Sequence, residues 1–244
     1  MIEKMKKLLE LNSEIRKCKK CPQLKTLNVN HYDSRLHSLG PFFGYGSPHA
    51  KYYFVGVAPS CSRWVLGKNV KAIKATLEPR DFKDYEPLDD QDVDVYTFYG
   101  GQTGNLFFQA LSKSGINIST DVYICNLLRC STPNNREPLL DEIKACMWVI
   151  DRELQIMRPE VVVPLGRVPC KTFIGNFGSM REIVGKKCPP SRKVLKRLTY
   201  KSFVVYPMYH PIYVKRNLSY FKAYVTQLRR LKNAASLTSF FRTR

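Results

Sequence analysis

Four short apolar runs, each closing on loop-forming residues and separated by helix-patterned sequence, constrain this chain more than any other feature. "KYYFVGVAP" (51–59) stops at Gly56 and Pro59; "DVYICNLL" (121–128), "EVVVPLG" (160–166) and "KSFVVYPMYHP" (201–211) follow it. Each is strand-sized and reads as a buried strand that ends in a loop. Ile2, Met5, Leu8, Leu9 and Ile15 recur at helical spacing ahead of the first strand. Further helices are expected from Gly104 to Ser114, over 139–157 with Asp141 and Glu142 in the first turn, from Gly166 to about Phe177, and from Asn217 to about Lys232. Strands alternating with helices predict an α/β fold, a three-layer α/β/α sandwich around a parallel sheet. Ligands in such folds bind beyond the carboxyl ends of the strands. Three stretches fall there: "GVAPSCSR", "CNLLRCSTPNNR" and "MYHPIYVKRN".

The 244 residues carry no internal repeat and are expected to form one domain over 1–244. Two segments look inserted. The one near 64–95 has a basic half, "KNVKAIK", and an acidic half, "DYEPLDDQDVD"; the one near 185–201 is basic and contains proline. With 44% hydrophobic residues the chain has enough apolar side chain for a packed core. Its 40 Lys and Arg against 20 Asp and Glu leave a formal charge of +20, which favours a polyanionic partner, nucleic acid foremost. The N-terminus is charged throughout and has no signal-peptide core, and no apolar run approaches the ~18 residues of a membrane span. A cytoplasmic, nucleoid-associated setting with no membrane partner is therefore expected, and thiols there stay reduced.

Eight cysteines in such a chain are then ligands or core residues rather than disulfides. Cys18 and Cys21 form a C-x-x-C unit, and Cys130 and Cys146 stand sixteen positions apart across a polar loop and a helix. Four thiolates suit tetrahedral zinc or an iron–sulfur cluster, and spacing alone does not separate the two. Cys61, Cys125, Cys170 and Cys188 have no comparable spacing.

"KCKKCPQL", "YFVGVAPS", "YICNLLRCSTPNNREPLLDEIKAC", "PEVVVPLGRVP" and "YHP" appear in an order and spacing that resemble the iron–sulfur uracil-DNA glycosylases, families 4 and 5 of that superfamily. The resemblance runs from about residue 16 to 230, the two inserted-looking segments excepted. It implies a [4Fe–4S] cluster on Cys18, Cys21, Cys130 and Cys146, with zinc as the second candidate. The cluster would be structural and hold DNA-facing loops. A four-stranded parallel sheet between helices is also implied, as is removal of a damaged base, uracil or another deaminated base, in base excision repair. The target base would be flipped out of the stack and read in a pocket.

By the same resemblance, Gly56, Val57, Ala58, Pro59 and Ser60 cup the base with their backbone. Val57 stands where family 4 has a glutamate, and family 5 is apolar there too. Tyr99, in "FYGGQTGN", would stack on the base, and Gln102 replaces an aspartate common in family 5. Asn126 is placed to read the pyrimidine edge, since an amide donates and accepts at once. Asn135 would approach the sugar or its water. His210, in the H-P pair, would donate to the O2 oxygen and stabilise the departing base. Arg136, Tyr213, Lys215 and Arg216 would meet DNA as wedge or phosphate contacts. The basic run Lys186, Lys187, Arg192, Lys193, Lys196 and Arg197 adjoins this motif in sequence. Beyond DNA, replication or repair proteins are candidate partners, and the chain is expected to be a monomer. Val57 and Gln102 favour an alternative: a non-catalytic iron–sulfur protein that binds damaged or single-stranded nucleic acid.

Overall fold

The computed structural model describes residues 2–21, 24, 40–59, 95–96 and 102–236. The segment near 64–95, apart from Val95, lies outside these residues, as do Ser60, Cys61 and Tyr99. Helix α1 (Ile2–Arg16) precedes the short strands β1 (Phe42–Phe43) and β2 (Tyr45–Gly46) and the first long strand, β3 (Tyr52–Gly56). After β4 (Val95–Tyr96) come α2 (Gln102–Ser114), the single turn α3 (Ile118–Asp121) and β5 (Val122–Asn126). Then follow α4 (Leu140–Met157), β6 (Val161–Pro164), α5 (Arg167–Ile174), α6 (Met180–Ile183), α7 (Arg192–Leu195), β7 (Val204–Val205), α8 (Pro211–Arg216) and α9 (Phe221–Ser236).

The expected parallel sheet is present as β5-β3-β6-β7, but a fifth strand completes it: β2 pairs antiparallel on the edge of β5, so the sheet is mixed. β1 pairs parallel with β4 in a separate two-stranded sheet. Glycine makes the edge pairing feasible. A Cβ on Gly46, whose φ is +124°, would lie 2.2 Å from the Val122 carbonyl oxygen, and one on Gly44 would lie 2.6 Å from the Tyr123 ring. The strand expected over 201–211 shrinks to Val204–Val205, because Pro164 on β6 has no N–H for the Tyr206 oxygen; the Tyr206 and Met208 N–H groups still donate to Val162 and Pro164 at 2.9 and 3.0 Å, and Leu165 bridges to Met208. The loop expected after it is instead α8, with Pro211 at its first position, and a separate 3-10 turn (Leu218–Tyr220) precedes α9.

Helices cover both faces of the sheet, which is why its strands read as continuous apolar runs. On one face Tyr53, Val55, Tyr123, Cys125, Val162 and Val205 pack against Ile143, Met147, Ile150 and Leu154 of α4, Phe173 of α5 and Val194 of α7. On the other, Tyr52, Phe54, Ile124 and Val163 meet Phe107 and Leu111 of α2, Val214 of α8 and Tyr224 and Leu228 of α9. Helix α1 lies outside α4, burying Leu11 and Ile15 with Phe43 and Val149, and Arg152 joins Glu14 across the helices at 3.0 Å. The segment near 185–201 is fastened into the first face. Val194 and Leu198 are buried, and the Thr199 N–H donates to Asp151 of α4 at 2.6 Å.

Phe107 is fully buried, with its ring edge-on to Phe54 at 5.3 Å. Phe107→Ala should cost about 3–5 kcal/mol of unfolding free energy, measured by urea denaturation.

Candidate active site and thiolate cage

Strand β3 is central, with β5 on one side and β6 on the other, so the chain leaves β3 in one direction and returns in the other. The crevice of such a sheet opens there, past the carboxyl ends. The last rung of the β3–β5 ladder pairs Gly56 with Asn126. Two further bonds carry the pairing into the loops: the Leu127 N–H donates to the Gly56 oxygen at 2.9 Å and the Leu128 N–H to the Val57 oxygen at 3.0 Å. Asn126 is thus held at the strand end and is only 4% exposed. Val57 and Ala58 are half-buried on the neighbouring loop and Pro59 is buried.

His210 reaches the same edge by another route. The Gly166 N–H donates to the Met208 oxygen at 2.8 Å, and Gly166, with φ +89°, would put a Cβ 3.3 Å from His210 Cβ. Glycine there lets the histidine sit against the start of α5. His210 caps α8: its Nδ1 accepts the Ile212 N–H at 3.2 Å. A neutral imidazole that accepts at Nδ1 carries its proton on Nε2, where it is a donor. Burial pushes the His210 pKa down to about 4, so the ring is neutral near pH 7. The starts of α5 and α8 follow the carboxyl ends of β6 and β7, so their dipoles add positive potential at this edge.

Asn135 lies in the tight turn Pro133–Asn135, where Asn134 and Asn135 both have positive φ (+51° and +52°), a conformation that asparagine tolerates well. The turn is exposed and rigidly tied. The Arg136 guanidinium grips the fully buried Glu142 with two bonds, at 2.9 and 2.5 Å, and the Leu139 N–H donates to the same carboxylate at 2.8 Å. Arg136, expected on DNA, is therefore committed to α4. The Tyr213 ring, expected as a wedge, stacks on Tyr209 at 4.5 Å with Tyr220 edge-on at 5.6 Å, and it remains 40% exposed. Lys215 and Arg216 are exposed on α8.

Cys18, Cys21, Cys130 and Cys146 come together beside this turn. Burial first, and then the neighbouring Cys146, Cys21 and Cys18, push the Cys130 thiol up to about 12. Burial drives Cys146 up to about 11 against the opposing Arg129 charge, with Cys21 and Cys18 adding to it. Cys21 is raised by burial and then by Cys18. Cys21, Cys130 and Cys146 are thus thiols whose ionisation is penalised by burial and by neighbouring cysteines, and a bound cationic centre relieves such a donor set. Gly40, at φ +148°, makes room for them: a Cβ there would lie 2.8 Å from the Arg129 oxygen and 3.2 Å from Cys130 Sγ. Among the described residues, no three His, Cys, Asp or Glu side chains close around a single metal ion.

One buried group escaped the sequence reading. Arg129 and Glu153 form an ion pair at 2.6 Å, and both side chains are out of solvent. Glu153 also accepts from the hydroxyls of Tyr53 and Tyr123. The signal was available in α4, where Glu142 and Glu153 lie along the stripe of Ile143, Met147, Ile150, Leu154 and Met157. A charge on an apolar stripe calls for a buried partner.

Residues 85–231 match the family model for the uracil DNA glycosylase superfamily. The chain is similar to a type-4 uracil-DNA glycosylase of Sulfurisphaera tokodaii, 29% identical over 85% of this chain and 75% of the relative. A type-4 uracil-DNA glycosylase of Archaeoglobus fulgidus is 29% identical over 85% and 82%. One from Thermotoga maritima is 34% identical over 49% and 57%.

Arg136→Ala strands the buried Glu142 carboxylate and should lower stability by about 1–3 kcal/mol, read from denaturant midpoints. For His210, the unfolded chain binds the extra proton between its ordinary pKa of 6.5 and the folded value of about 4. Stability should therefore rise with pH across that window, with no penalty above 6.5. His210→Gln should flatten the slope, seen as a difference between the two proteins' denaturation curves across pH 4–7.

Proposed function

Because the chain belongs to the uracil DNA glycosylase superfamily, we propose that it is a monofunctional uracil-DNA glycosylase that excises uracil from DNA in base excision repair. The observation that carries this reading is the convergence at one sheet edge: Asn126 paired with Gly56 on the last β3–β5 rung, and His210 seated against Gly166. Kinship with the type-4 relatives is the second support.

In this reading the flipped base enters the crevice past β3. The Asn126 amide matches the pyrimidine edge, because one group can both donate to a carbonyl and accept from a ring N–H. The glycosidic bond breaks heterolytically: its electron pair leaves with the base, and the sugar becomes an oxocarbenium-like cation that water captures. Nε2–H of the neutral His210 donates to the base oxygen on which negative charge grows. A neutral donor suits this role because its proton is not lost near pH 7. Val57 supplies no carboxylate for the water, so preorganised electrostatics around the leaving base carry most of the rate. Asn135, held out on its rigid turn, is the group proposed to approach the sugar. Ser60 and Tyr99 belong to the proposed pocket by resemblance.

Cys18, Cys21, Cys130 and Cys146 are proposed to hold a [4Fe–4S] cluster, with zinc as the alternative occupant; the fit rests on the raised thiols of Cys21, Cys130 and Cys146, on Cys18 beside them, and on the Gly40 notch. The bound cluster would supply a rigid anchor rather than chemistry on the base. It would pin the 130–146 loop at both ends, and Arg136 with Glu142 would pin it between. Lys215, Arg216 and the exposed part of Tyr213 are the proposed DNA contacts, with the +20 charge drawing the polyanion in. No described helix is long and apolar enough to cross a membrane.

Holo-protein incubated with labelled single- and double-stranded oligonucleotides carrying uracil, hypoxanthine or a mismatch should yield alkali-labile abasic sites at uracil. Asn126→Ala and His210→Ala should each lower the single-turnover rate by roughly 10²–10³-fold. DNA binding without abasic sites from any substrate would instead support the non-catalytic binder that Val57 and Gln102 favour. Full excision by either variant would refute the site assignment.

A further inference from the structure

Arg129 is buried at a point where a cation is costly. Its side chain is 2% exposed, and its carboxylate partner Glu153 is fully buried. Glu153 is fixed in turn by Tyr53 and Tyr123, whose rings stack 5.6 Å apart. Two of the three guanidinium nitrogens, Nε and Nη1, are buried without an oxygen or nitrogen partner among the described residues, and the group set against the guanidinium beside Glu153 is the soft, weakly accepting thiol of Cys125. An ion pair that served the fold alone would be expected to satisfy those donors, since each buried unpaired donor is destabilising. Arg129 precedes Cys130, its main-chain N–H donates to Cys146, and its charge acts on Cys125, Cys130 and Cys146. The Phe42 N–H holds the Arg129 carbonyl at 2.6 Å, so the main chain at this point is fixed as well.

An iron–sulfur cluster on four thiolates is a net anion in both its oxidised and reduced forms, and nearby charge and hydrogen bonds set its potential. We infer that Arg129 is the internal counter-cation of the cluster, aimed by Glu153 and its two tyrosines, and that it governs both retention of the cluster and the ease of its reduction. This rests on the cluster reading of the thiolate cage. In the reduction one electron enters the cluster's iron from an electrode, and no bond to Arg129 forms or breaks. Arg129 is a positioning and charge-setting residue here, not a catalytic one.

The sign of the effect separates this role from simple support. Removing the cation should disfavour the more negative, reduced cluster; removing the carboxylate should favour it. Purified holo-protein and the variants Arg129→Met, Arg129→Lys and Glu153→Gln would be compared by visible-absorbance redox titration and by the rate of bleaching in chelator. Arg129→Met should lower the midpoint potential and bleach several-fold faster, and Glu153→Gln should raise the potential. Arg129→Lys should return both readouts toward wild type. If Arg129→Met fails to fold, Glu153→Gln decides alone: a raised potential supports the inference, and an unmoved or lowered one overturns it. Shifts of the same sign in Arg129→Met and Glu153→Gln, or none, in proteins that keep the cluster would also overturn it while leaving the cluster reading intact. Wild-type protein that contains zinc and no iron would overturn the cluster reading itself, and this inference with it.

Discussion

The ladder between β3 and β5 is the constraint on which the rest depends. Five parallel pairs run from Tyr52 with Val122 to Gly56 with Asn126, and two more bonds continue into the loops. A parallel register cannot slip by one residue without turning every side chain to the wrong face. That fixes Asn126 at the crevice, and four residues later it fixes Cys130 near Cys18, Cys21 and Cys146. The proposed base-reading residue and one proposed cluster ligand thus hang from a single hydrogen-bonded rail.

The two halves are also coupled through α4. Its first turn holds Glu142, which grips Arg136 and orders the turn bearing Asn135. One turn later it presents Cys146, and two turns beyond that Glu153, which holds Arg129 in a buried ion pair. Glu142 and Glu153 therefore tie Arg136 and Arg129 of this loop to one rigid helix, itself packed on the sheet through Ile143, Met147, Ile150 and Leu154. Functional loops are best placed when rigid elements carry them, and here the buried charges serve the placement rather than the core.

The α/β class was legible because buried parallel strands leave continuous apolar runs, and "KYYFVG", "VYICN" and "VVVP" are such runs. The edge strand Tyr45–Gly46 was not legible, since two residues carry no period and the pairing depends on glycines making room beside Val122 and Tyr123. The strand at Val204–Val205 was drawn too long because an apolar run does not reveal which N–H its neighbour lacks, and Pro164 of β6 has none for the Tyr206 oxygen. In the site, Asn126 and His210 were named by resemblance to the family; Asn126 lies at the end of β5, and His210 lies beyond β7 as the cap of α8. The partnership of Arg136 with Glu142 was hidden, since a basic residue in a polar loop reads as equally open to phosphate or to protein. The Arg129–Glu153 pair joins residues 24 apart in sequence, and only the apolar stripe of α4 hinted that a buried charge needed an answer.

The central claim is that uracil is read between Asn126 and His210 past the carboxyl end of β3. A crystal structure of the holo-protein with DNA carrying a deoxyuridine analogue that resists cleavage tests it most directly. The account predicts the flipped base with its edge on the Asn126 amide and its O2 oxygen within hydrogen-bond reach of His210 Nε2. A base seated elsewhere, or left stacked in the helix while the protein is bound, would contradict it.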